Sequence, residues 1–94
     1  GNINKRRAAL VLLTGPVRYS DDPRFHHLAV ETIDRLKPET PILITKAVSW
    51  LLRSMVDRRP DDVAFYLEAN VATLPKIAIR ETRTKLRTGT KSGR

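Results

Sequence analysis

The sequence predicts an all-α chain, an α-solenoid of about five helices stacked as antiparallel pairs. Three observations predict it. Apolar residues recur at helical spacing through every long segment and nowhere alternate with period two for long. Proline-led breaks at Pro23, Pro38, Pro41, Pro60 and Pro75 cut the chain into pieces of helix length. Helix pairs with short connections recur roughly every 35–40 residues, the period of helical repeat arrays such as armadillo and HEAT.

The first helix is expected from about Ile3 to Leu13, with Ala9, Leu12 and Leu13 on its inner side. Lys5, Arg6 and Arg7 lie in its opening turns, where cations oppose the macrodipole by a few tenths of a kcal/mol each. Partners elsewhere must account for them, or the helix begins upstream of Gly1. Gly15-Pro16 reads as a break or kink, with a short helical turn over Val17 to Ser20.

Asp21-Asp22-Pro23 is an N-cap signal with proline at the first helical position, opening a helix to about Leu36. Phe25, Leu28, Ala29, Ile33 and Leu36 form its predicted buried face. His26 and His27 are adjacent, about 100° apart around a helix, so they cannot form the i, i+4 pair of a metal site. They read as helix-surface histidines.

Thr40 to Asp57 is the longest apolar-periodic segment, with Thr40 as N-cap and Pro41 as first helical residue. Ile44, Val48, Leu51, Leu52 and Met55 fall on one buried face. Lys46, Trp50 and Arg53, at i, i+4 and i+7, form a second stripe on another side. Arg58-Arg59-Pro60 ends this helix, since a residue before proline avoids the α region. Pro60-Asp61-Asp62 starts the next, with Val63, Tyr66, Leu67 and Val71 inward and Asn70 at its exit. The last helix runs from Lys76 to about Leu86, its apolar side Ile77, Ile79 and Leu86. Residues 1–87 are thus expected to be helical repeat, and 88–94 a basic disordered tail.

The formal net charge is +8 over 94 residues, which implies attraction to polyanions, nucleic acid first and anionic membrane second. Residues 76–94 carry seven cations against Glu81 alone. A solvated surface with a basic tail explains the same numbers. There is no cysteine, which excludes disulfides, thiol catalysis and thiolate metal sites, and suits a reducing cytoplasm. The longest apolar run, Ala8 to Leu13, is far short of the ~20 residues of a membrane span, and no signal-peptide pattern opens the chain. No phosphate loop, HExxH or nucleophile–base arrangement occurs, and no metal or cofactor is expected.

Spacing leaves two readings of Trp50. A lone helix tryptophan packs into a core, or it joins Lys46 and Arg53 on a wet face that neutralises phosphates and offers an indole plane. Of the adjacent Arg6 and Arg7, at most one can share that surface. Arg80, Arg83 and Arg87, at i, i+3 and i+7, form a third stripe suited to backbone contacts.

Three segments carry a resemblance. NINKRRAAL resembles the N-x-x-x-R-R-x-A-I/L helix start of the AlkD-type DNA alkylation repair family of HEAT-like repeat proteins. ITKAVSWLLRSMVDRRPDDVAFYLEAN is similar to that family's K-A-I/V-G-W-x-L-R region, and LPKIAIRETRTKL to its closing helix. The resemblance covers Asn2 to Leu86. It implies an α-solenoid whose concave basic surface cradles duplex DNA, and hydrolytic excision of N3- and N7-alkylated purines without metal or redox cofactor. Arg7 and Trp50 match two of the family's catalytic positions. Arg53 matches a DNA-backbone contact, and Arg6, Lys46, Arg80 and Arg83 are expected on the DNA-facing surface. An aspartate and a further tryptophan of the family's site would precede Gly1, and Asn4 stands where many relatives carry an aromatic. The sequence therefore resembles the C-terminal half of such a glycosylase, and DNA affinity rather than excision is expected from these residues alone. The alternative is a non-catalytic helical-repeat scaffold that binds DNA or a protein partner.

Overall fold

A computed structural model of the chain describes residues 2–89, and among them all regular structure is helical: α1 (Ile3–Val11), α2 (Thr14–Tyr19), α3 (Pro23–Leu36), α4 (Ile42–Val56), α5 (Pro60–Ala69) and α6 (Lys76–Thr88). This is an all-α helical repeat fold. The expected short turn near Val17 is the extra helix α2. Its Gly15-Pro16 sits in the first turn, where proline's missing N–H costs no hydrogen bond. The break falls earlier, at Leu12-Leu13, and Thr14 Oγ1 donates to the Val11 carbonyl across it at 2.7 Å.

Helix starts follow the local chemistry. Asn2 caps α1, its side-chain oxygen accepting from the Asn4 amide at 2.7 Å. Asp22 caps α3 through the Arg24 amide at 2.9 Å, with Pro23 first in the helix, as its sequence signal predicts. At α4 the start moves one residue: Pro41 occupies the cap in an extended conformation, and Thr40 lies outside. Gly89 closes α6 with φ +84°, a left-handed geometry that glycine adopts without a Cβ penalty. Thr88 belongs to α6, and the rest of the expected tail, 90–94, lies outside the described residues.

The core is organised around α4. It packs most extensively on α6, then on α1 and α2, and also touches α3 and α5. Ile44, Val48, Leu51, Leu52 and Met55, the predicted face, are all buried, and Ala47 joins them. Burial of one such large side chain contributes about 1.5–3 kcal/mol. Helix α4 packs against both α1 and α6, while α3 touches α1, α2 and α4, and α5 touches α4 and α6.

Several predicted core residues face water instead. Leu12 is exposed because α1 ends at Val11, so Leu10 and Leu13 take the inward positions. Leu28 is exposed, and Thr32 fills its place on α3 with its hydroxyl donating to the Leu28 carbonyl at 2.8 Å. Val71 lies past the end of α5 and is exposed. On α6 the inner face is Ala78, Ile79 and Thr82, while Ile77 turns toward a groove and Leu86 is partly buried.

Polar ties fasten the end of α4. Asp57 receives Arg18 on one carboxylate oxygen at 2.9 Å and Lys85 on the other at 3.1 Å, joining α2, α4 and α6. Arg58 pairs with Asp21 and donates to the Arg18 and Tyr19 carbonyls. No helix of the described residues is long and apolar enough to cross a membrane.

Candidate functional site

A groove of about 230 Å³ opens between α1, α4 and α6. Arg7 contributes from α1, Leu43, Lys46, Ala47, Trp50 and Arg53 from α4, and Ile77 and Glu81 from α6. At 100° per residue Leu43, Lys46, Trp50 and Arg53 fall on one stripe of α4, turned away from the buried face. Helical phase alone therefore explains why an apolar-rich helix presents a wet side.

Trp50 is 39% exposed, so of its two readings the structure has the outward one. Arg7 and Lys46 are exposed beside it. Arg53 is more enclosed, and it is held: its Nε donates to Ser49 Oγ at 3.2 Å. Ser49, fully buried, in turn donates to Glu81 Oε1 at 2.7 Å, and Arg53 Nη2 lies 3.9 Å from that same oxygen. A carboxylate this enclosed needs such partners, since an uncompensated buried charge is costly. The groove thus offers three cations, one indole plane and one partnered carboxylate. Such a set can neutralise phosphates through the cations and stack or attract a cation through the indole.

The other expected residues go elsewhere. Arg6 Nε pairs with Glu39 at 3.0 Å, which gives one of the opening-turn cations of α1 its partner. Arg80 and Arg83 line a different depression with Lys76 and Arg87, on another side of α6. Arg83 is bidentate on Glu68, at 2.9 and 3.1 Å, and that hydrogen bonding holds the Glu68 carboxyl below the usual range. His26 is partly buried against the neighbouring His27 ring, and burial pushes its pKa down. No cluster of three or more potential metal ligands occurs among the described residues.

Leu43, Ile77, Ser49 and Glu81 were not expected in or behind the groove. Leu43 carried a signal, since it lies three residues before Lys46 on the same stripe. Glu81 carried none, because its place depends on how α6 packs on α4, thirty-two residues away from Ser49.

A family model described as DNA alkylation repair enzyme matches residues 1–86. No curated protein and no solved structure matches the chain.

Proposed function

The chain belongs to the DNA alkylation repair enzyme family, and we propose on that premise that its groove between α1, α4 and α6 binds duplex DNA and serves the excision of N3- or N7-alkylated purines. Membership carries a role in DNA alkylation repair; the finer reading rests on one observation. Arg7, Lys46, Trp50 and Arg53, which come from two helices distant in sequence, line a single groove with the indole outward.

The chemistry is coherent. Arg7, Lys46 and Arg53 neutralise backbone phosphates, and each contact adds to the salt dependence of binding. A purine alkylated at N3 or N7 carries positive charge and leaves readily, and the Trp50 face attracts such a cation. Arg7 and Trp50 stand at the reacting end, with Lys46 and Arg53 on the backbone. Arg6 acts through its Glu39 pair on the placement of α1, and Arg80 and Arg83 extend the contact to a flanking stretch of backbone. The reading sets this work in the cytoplasm, which suits a chain without cysteine.

A second reading is binding without excision. It is favoured by the state of Glu81, the carboxylate among the described lining residues, which is already committed to Ser49 and Arg53. Incubation with a duplex carrying one N3- or N7-alkylated purine separates the two. Release of free base supports excision; tight, salt-sensitive binding with no release supports the non-catalytic reading. Binding that does not change between about 50 and 200 mM salt contradicts both, because phosphate neutralisation cannot be salt-independent.

A further inference from the structure

Behind the groove lies a network that the duplex reading does not itself require. Ser49 is fully buried and does not line the groove, yet its hydroxyl is engaged both ways: it accepts from Arg53 Nε and donates to Glu81 Oε1. Glu81 reaches it from α6, so the network spans the α4–α6 packing seam. A surface arginine ordinarily samples many rotamers, and ordering it on a ligand costs side-chain entropy. Here that ordering is already done in the free protein. Arg53 Nε is fixed by a buried acceptor, and its Nη2 end is drawn toward a carboxylate.

We propose that Ser49 and Glu81 are positioning residues that hold the Arg53 guanidinium in one orientation, so that the groove offers a phosphate a pre-set planar fork instead of a mobile charge. The inference rests on the duplex reading above. It makes Glu81 useful to DNA binding although its charge is of the repelling sign. It also makes Ser49 a determinant of binding although no DNA can reach it.

The test uses the full chain and a fluorescein-labelled 20-base-pair duplex, titrated at several salt concentrations. The proteins are the wild type, Ser49→Ala, Arg53→Ala, the double variant and Glu81→Ala, each checked for helicity and melting. Ser49→Ala changes no charge, and alanine suits a helix interior. It is expected to weaken binding about three- to tenfold, the net range of one ordinary hydrogen bond, because the serine acts on DNA only through the arginine. The double variant is expected to bind like Arg53→Ala, since the serine acts only through the arginine. Charge counting alone has Glu81→Ala tighten binding; positioning has it weaken. Wild-type affinity in Ser49→Ala, full additivity in the double variant, or tighter binding by Glu81→Ala would each overturn the positioning role while leaving the duplex reading intact. A wild-type protein without salt-sensitive binding would overturn both together.

Discussion

Trp50 and Leu51 are consecutive on α4, yet Trp50 is 39% exposed in a basic groove while Leu51 is fully buried in the core. The 100° between neighbouring helix positions divides one segment into a packing face and a groove-facing one.

Stability and binding should therefore separate at these two positions. Leu51→Ala is expected to cost about 2–5 kcal/mol, because it leaves a cavity at the centre of the packing. Trp50→Ala should cost less, about 1–3 kcal/mol, since part of its ring is already in water and truncation at the open groove leaves no enclosed cavity. The order inverts for duplex affinity, which should fall about fivefold or more for Trp50→Ala on loss of the aromatic contact. Denaturant unfolding and duplex titration on both variants check the inversion.

Asp57 joins three helices through Arg18 and Lys85. Asp57→Asn keeps the shape and removes the charge, and should lower stability by about 1 kcal/mol at low salt. The difference from wild type should shrink in 0.5 M salt as screening weakens the wild-type pairs. Chemical denaturation at the two salt concentrations reads it directly.

Tyr66 donates to Asp34 from a half-buried hydroxyl, and burial first, then that hydrogen bond, pushes its pKa up. Tyr66→Phe removes the bond between α5 and α3 and should cost about 1 kcal/mol in unfolding free energy. Ultraviolet titration of the wild type should show a tyrosine step above the ordinary phenol range, and that step should vanish in the variant.

The His26 ring sits between α3 and α5, where burial lowers its pKa from 6.5 and outweighs the attraction of Asp62; Arg59 and His27 lower it further. In the unfolded chain the ring takes up a proton at higher pH than in the folded one. Folding stability from this group is therefore complete above 6.5 and declines as pH falls from 6.5 to the lower folded value. Melting curves between pH 8 and pH 5 should show that decline in wild type and a flatter profile in His26→Gln.

How far the sequence disclosed this molecule depends on the range of the forces involved. The buried face of α4 and the Asp22-Pro23 start of α3 are set by periodicity and capping within a few residues, and both are where those signals put them. The stripe of Lys46, Trp50 and Arg53 follows from the same phase. Leu12, Leu28 and Val71 carry the right hydropathy, but they lie where a helix has ended or where no neighbour covers them. Glu81 is the clearest limit. In the sequence it is one acid in a basic helix, and only the docking of α6 on α4 brings it to Ser49 and Arg53.

The account stands or falls on whether the Trp50 face of the groove meets DNA. The chain has one tryptophan, so its fluorescence reports that position alone. Titration with duplex at about 50 mM salt should change its emission in a saturable way, and raising salt to about 200 mM should abolish much of that change. An indole whose emission is the same with and without duplex at low salt, in a protein that otherwise binds DNA, would contradict it.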